Sequence, residues 1–172
     1  MVRHPLFEGT LALRRERGED RPALRALYAS TRQEELAAVP WPEATKAAFL
    51  DQQFALQHHH YVTHFPAADF LVVVSSGALV GRIYRDGVPP EATGEACDTV
   101  IDVSLLPGWR GRGLGTALLR AVMEDAARRG RGVALSVFVP NERARRLYER
   151  LGFTAVAMNG PYLAMRWRTS PG

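Results

Sequence analysis

The sequence predicts an α/β fold of the α+β kind: a single-domain mixed sheet of about seven strands flanked by helices. Three observations lead there. Strand-like and helix-like stretches alternate along the chain without an internal repeat or an interdomain linker. In the middle, a strand near 100–106, a long helical run and a second apolar strand at 133–139 form a βαβ unit, so those two strands should be parallel. The length of 172 residues suits one domain with an ordinary core, expected over 1–172 with its core at about 10–168.

Residues 10–17, "TLALRRER", alternate as a first strand. Asp20 stands where an N-cap belongs, ahead of the helical "RPALRALYAS". A second helix is expected in "WPEATKAAFLDQQFALQHHHYVTHF", with Phe49, Leu50, Phe54, Leu56 and Tyr61 roughly at helical spacing. "DFLVVVSSG" and "ALVGRIYRDG" read as strands joined at Ser-Ser-Gly by a hairpin turn. A loop rich in Pro and Gly, "GVPPEATGEACD", leads to the strand at "TVIDVSLLP". The helix over 113–129 lines Leu114, Leu118, Val122 and Ala126 on one face, with Arg120, Glu124 and Arg128 as i,i+4 pairs on another. Gly130 and Gly132 end it, and "VALSVFV" is apolar enough to be buried on both faces. "NERARRLYERLG" is a helix with Ala144, Leu147, Tyr148 and Leu151 on one stripe, and "FTAVAM" and "YLAMRWR" close the sheet.

Composition narrows the class. Hydrophobic residues make up 47% and charged residues 23%, as in a globular rather than a disordered chain. Cys97 is the sole cysteine, which rules out an intrachain disulfide and fits a reducing compartment, with Cys97 itself a small core residue. The N-terminal stretch has no uninterrupted apolar region of the secretory kind, and "FLVVV" is too short to cross a bilayer. A cytoplasmic protein without a membrane partner is the expectation. The net charge of +4 hides an asymmetry: residues 1–109 carry −4 and residues 110–168 carry +8. The second half suits an anion, the first a cation or a neutral group. Lys46 is the only lysine, so the arginine excess reads as genomic composition more than as a nucleic-acid surface, and aromatics are not interleaved with the arginines.

"WRGRGLGTALL", residues 109–119, sets bare backbone before a helix and flanks it with guanidinium groups. That combination holds an anion on helix-start N–H groups, or else makes a tight turn with solvated arginines. A Walker A loop counted from Gly108 reaches Gly113 but meets Leu114 where lysine is required. A dinucleotide fingerprint counted from Gly111 meets Thr116 at its third glycine, and no acidic residue ends the strand 133–139. What remains is R-x-x-G-x-G, in which a diphosphate could rest on free amides with Arg110 and Arg112 beside it.

Two motifs carry a resemblance. "RGRGLG" at 110–115 fits [QR]-x-x-G-x-[GA], and "NERARRLYERLGF" at 141–153 fits N-x-x-A-x-x-x-Y-x-x-x-G-F through Asn141, Ala144, Tyr148, Gly152 and Phe153. The chain resembles the GNAT superfamily of acyl-CoA-dependent N-acetyltransferases, and the order of elements over 10–168 agrees. The resemblance implies a sheet whose central parallel strands splay, with acetyl-CoA as co-substrate. It implies cofactor contacts from Leu105 and Leu106, from Arg110, Gly111, Arg112, Gly113, Leu114, Gly115 and Thr116, and from Asn141 and Ala144. The strand backbone near Leu105 would read the pantetheine arm as an added strand. Asn141 would offer its amide to that arm, cap the following helix, or do both. Tyr148 matches the family's proton donor to the leaving thiolate, or else it only packs on the apolar stripe of its helix.

The amine must lose a proton before attack, and Asp102 is the candidate base, directly or through water, or else it holds an arginine or faces solvent. Asp98 and Asp102 would share a face if the strand reached back that far. Regular alternation from Leu105 sets Asp102 on the opposite face, against direct contact unless a bulge intervenes. "HHHYVTHF" at 58–65 lacks a carboxylate or cysteine to complete a metal set, so no metal is expected; the segment, with Trp41, Phe54 and Tyr61, is a candidate wall for the acceptor. The implied activity is direct transfer to a primary amine, small or peptidic, in a ternary complex, because no positioned Cys or Ser motif indicates a covalent intermediate. Homodimers are common in this family, and one is compatible with this reading. A non-catalytic acyl-CoA-binding module and an RNA-directed acetylase remain as alternatives.

Overall fold

The computed structural model describes residues 11–88 and 96–169. Seven strands form one sheet in the order β1-β2-β3-β4-β5-β7-β6. They are β1 (Leu11–Arg15), β2 (Asp69–Ser75), β3 (Ala78–Val88), β4 (Cys97–Leu105), β5 (Gly132–Phe138), β6 (Thr154–Asn159) and β7 (Tyr162–Trp167). Only β4 and β5 run parallel; every other neighbour is antiparallel. Four helices flank the sheet: α1 (Arg21–Ala37), α2 (Glu43–His64), α3 (Leu114–Arg128) and α4 (Glu142–Arg150). This is the fold class that the sequence predicts. The Pro/Gly-rich loop falls mostly at 89–95, outside the described residues, as does the N-terminal stretch up to residue 10.

Neighbouring strand residues point to opposite faces, and the core divides accordingly. Val72 joins Leu24, Leu27, Tyr28 and Phe54 in a cluster under α1 and α2. Val73 joins Val100, Leu118, Leu119, Val122, Val133 and Leu135 in the larger cluster under α3 and α4. Leu114, Leu118, Val122 and Ala126 are all buried, as the periodicity requires. Burying an apolar side chain of this size is worth about 1.5–3 kcal/mol, so the α3 stripe alone fixes that helix to the sheet. The β2–β3 turn has Ser76 at φ 47° and Gly77 at φ 84°, the two positive angles of a two-residue hairpin whose twist matches its strands.

Several local expectations are corrected. Asp20 stands just before α1 but does not cap it; its carboxylate accepts from Arg17 N at 2.8 Å and pairs with Arg14 at 2.6 Å. Leu56 is exposed because it lies off the buried side of α2. Arg128 pairs with Asp125 at i,i−3 rather than with Glu124. β5 is buried on one face only: Val133, Leu135 and Val137 point into the α3 core, whereas Ser136 and Phe138 are exposed. The cluster under α1 and α2 packs on Val72 and Val74 of β2 and Leu79 of β3 and includes no β5 residue.

Among the described residues, no helix is long and apolar enough to cross a membrane.

Candidate active site

Pairing between β4 and β5 runs from Cys97↔Gly132 to Val100↔Leu135 and then stops, although β4 continues to Leu105 and β5 to Phe138. Past Val100 the facing peptide groups have no strand neighbour. The gap holds a cavity of about 150 Å³, lined among others by Ile101, Asp102, Val103, Ser136, Asn141 and Tyr148. It lies at the carboxyl ends of the two parallel strands, where open α/β sheets place ligands. The cavity reaches Val100–Val103 rather than Leu105 and Leu106. The carbonyl of Leu105 accepts from Arg110 Nε at 2.7 Å, and Leu106 N donates to Val80 O at 2.9 Å.

A bulge lies beside the gap. Tyr84 pairs with Asp102 and Arg85 with Val100, so Ile101 is the extra residue in β4. The insertion inverts alternation on its far side. Asp102 joins Ser104 toward α2, while Val100 and Asp98 turn toward α3. Asp98 therefore meets Arg129 at 2.5 Å and Arg131 at 2.6 Å, and the expectation that Asp98 and Asp102 share a face is overturned.

At the glycine loop, Gly111 and Gly113 hold φ +74° and +84°, a left-handed backbone that an L side chain strains to adopt. The first intrahelical bond of α3 runs from Ala117 N to Gly113 O. The N–H groups of Gly113, Leu114, Gly115 and Thr116 thus precede the ladder, at the positive end of the helix dipole. Leu114 is buried and anchors this start. A Cβ on Gly115 would lie 3.9 Å from side chains of Leu105 and Leu147, in ordinary contact.

The two arginines of the loop differ in employment. Arg110 donates to Leu105 O and, through Nη2, to Ser30 O at 3.2 Å and Ser30 Oγ at 3.0 Å, tying the end of β4 to α1. Arg112 is exposed and stacks over Trp109 at 5.5 Å.

α4 delivers two residues to the cavity. Asn141 Oδ1 accepts from Ala144 N at 3.1 Å and so caps α4. Because a backbone donor must meet oxygen, the Nδ2 group is the one left over. Tyr148 is buried on the apolar stripe with Phe153 beside it, yet its side chain also lines the cavity. Burial, and then the negative charge of Asp102, push its pKa up to about 12.

Asp102 sits in a network that sequence spacing did not reveal. Its Oδ2 accepts from Arg82 at 2.6 Å and from Tyr61 at 2.9 Å, and its Oδ1 accepts from Ser104 at 2.6 Å. Arg82, itself buried, also donates to Gln57 on α2 at 2.7 Å and lies 4.9 Å from the Tyr84 ring centre. Burial opposes the charge on Arg82, but Asp102 and the adjoining phenols outweigh it and raise its pKa. Removing one partner of a buried ion pair costs about 3–5 kcal/mol, so Arg82 and Asp102 hold α2 and the bulged strand in register. These partners are 20 and 41 residues away from Asp102 in sequence, and only the fold brings them together.

The other aromatic and histidine candidates separate. Tyr61 reaches Asp102, Phe54 is core against Tyr28, and Trp41 packs on Phe49 at the surface. Phe54 is therefore not a pocket wall. His60 and His64 stack at 4.1 Å, and His58 lies 3.8 Å from Glu16, with burial lowering its pKa. Among the described residues, no three His, Cys, Asp or Glu side chains converge on a possible metal position.

Residues 22–153 match the model of the Acetyltransferase (GNAT) family, and the chain belongs to that family. It is 34% identical over 125 residues to the N-alpha-acetyltransferase RimI of Mycobacterium tuberculosis, covering 72% of this chain and 67% of that one. It is 42% identical over 87 residues to a mycothiol acetyltransferase of Beutenbergia cavernae; this match spans 50% of the chain but only 28% of the relative. The PaiA N-acetyltransferase from Thermoplasma acidophilum, solved in complex with coenzyme A, shares the fold at a TM-score of 0.69 and 15% identity, over 94% of this chain and 100% of the other.

Proposed function

We propose that this chain moves an acetyl group from acetyl-CoA to a primary amine by direct attack within a ternary complex. One observation carries the reading: the unpaired edges of β4 and β5, Asn141 and Tyr148 line one gap, and the loop that follows β4 leads to the open amides at the start of α3. Acetyl-CoA brings an activated thioester carbonyl. The diphosphate would rest on the N–H groups of residues 113–116, with the Gly111–Gly113 backbone bare beneath it. The pantetheine arm would pair with β4 around Ile101–Val103, earlier than Leu105, and take a hydrogen bond from Asn141 Nδ2.

In the transfer, the amine lone pair forms the N–C bond, the C–S bond breaks, and the Tyr148 hydroxyl gives its proton to the departing sulfur. The proton shed by the amine returns the balance, leaving an amide and a free thiol. Asp102 is the acceptor for that proton, through water in the cavity. Three of its roughly four acceptor positions are taken by Arg82, Tyr61 and Ser104. The remaining one serves a relay better than direct contact.

At the edge of the gap the Phe138 ring packs on Tyr162 at 5.6 Å, and both rings are exposed. Together with the relative named for N-alpha-acetylation, this makes the terminal amine of a polypeptide the first acceptor to try. Thiol release from acetyl-CoA, measured against peptides, free lysine, polyamines and amino acids, tests the proposal. Release with at least one amine is expected. CoA binding without release for any amine would leave a binding module instead.

A further inference from the structure

The anion cradle at Gly111–Thr116 needs fixed positive charge, and both arginines of the loop are engaged: Arg112 lies over Trp109 and donates to Gly108 O at 3.4 Å, and Arg110 turns to the fold. Arg110 gives its donors to Leu105 O and to Ser30, holding β4 to α1. A different guanidinium reaches the loop in space. A Cβ built on Gly111 would lie 3.1 Å from Arg143 Nη2, so this side chain of the first turn of α4 hangs directly over the left-handed backbone. Its neighbours on α4 are neutralised, Arg145 by Glu149 at 2.8 Å and Arg146 by Glu142 at 3.3 Å. Arg143 is exposed and has no carboxylate within ion-pair reach among the described residues. Burial, and then Arg143, lower the pKa of Arg110, so the two cations crowd one another. Glu34 offsets part of that repulsion at Arg110, and an anion between the two guanidinium groups would relieve the rest.

We propose that Arg143 is the guanidinium that closes over the diphosphate at the Gly111 loop, while Arg110 braces the fold. This rests on the coenzyme reading above. Arg143 lies thirty-two residues after Gly111 in the chain, so the clamp joins the two helices that border the gap. A fork of N–H donors suits two phosphate oxygens better than an ammonium does.

The test compares acetyl-CoA with S-acetylpantetheine, which lacks the diphosphate, in the full chain and its Arg143→Gln and Arg143→Lys variants. Arg143→Gln should raise KM for acetyl-CoA by about tenfold and flatten its dependence on salt. It should leave kcat/KM for S-acetylpantetheine and the melting temperature unchanged. Arg143→Lys should recover part of the loss. Calorimetric titration with CoA and with pantetheine gives the same comparison without turnover. An unchanged KM for acetyl-CoA, or an equal loss with both donors, overturns the clamp. If the unaltered chain binds neither CoA nor pantetheine, the coenzyme reading itself falls, and the clamp with it.

Discussion

The phenol of Tyr148 is buried in an apolar stripe, and its pKa is pushed up to about 12 by that burial and by Asp102. A proton donor with that value stays loaded over the range in which an alkylamine, ordinarily near 10.4, becomes neutral. The sign is favourable for an acid: raising the pKa keeps the proton on Tyr148 to higher pH, whereas an ordinary tyrosine would begin to lose it below 10. Turnover should therefore rise with pH as the amine deprotonates and hold without a falling limb to about pH 10. Tyr148→Phe removes the hydroxyl and little volume. It should lower kcat by about 100-fold while CoA binding and melting stay close to the parent. Unchanged turnover in that variant, or a falling limb near pH 8, would remove Tyr148 from the chemistry.

At the scale of elements, the bulge at Ile101 decides which carboxylate faces the gap. The close approach of β3 to β4 at Gly81 keeps the bulged strand in place. A Cβ there would lie 2.5 Å from Leu105 Cδ2 and 2.7 Å from Ser104 O, and the backbone oxygen cannot swing aside. Gly81→Ala should destabilise by roughly 1–3 kcal/mol, read as a melting shift of about 2–4 °C per kcal/mol, and should weaken coenzyme binding. An unshifted melting curve would contradict this. Element order was legible in the sequence because hydrophobic period and turn residues are local properties. So were the glycine loop and the stretch containing Asn141 and Tyr148, whose spacing survives into the fold. The bulge was not legible: "TVIDVSLLP" carries no glycine at the slip, and register is set by pairing with β3. The open face of β5 was hidden for a similar reason, since the extent of cover from α1 and α2 is a tertiary matter. Arg82 and Arg143 were missed because what each one meets is distant in sequence.

Across the whole molecule, charge binds the end of the sheet away from the gap. Arg15, Asp69, Arg85, Asp125, Arg129, Asp98 and Arg131 alternate in sign along one chain of ion pairs, linking β1, β2, β3, α3 and β4. Its middle member, Asp125, has a pKa lowered to about 2, first by Arg85 and then by Arg129 and Arg128. Because the folded value lies below the unfolded one, this stabilisation is complete above about pH 4 and fades as pH falls through about 2. Asp125→Asn should lower stability at neutral pH by about 1 kcal/mol or less and flatten the acid limb between pH 4 and 2. Melting followed across that range checks both, and parallel curves for the two proteins would contradict them. The missing rungs between β4 and β5 give the sheet a pair of inner margins besides its outer two. A second polypeptide's sheet would find so narrow a slot hard to enter, while a thin flexible guest with amides of its own fits its width. The fold thus offers ladder bonding to small visitors at the one seam where sticking to another copy of itself is hardest.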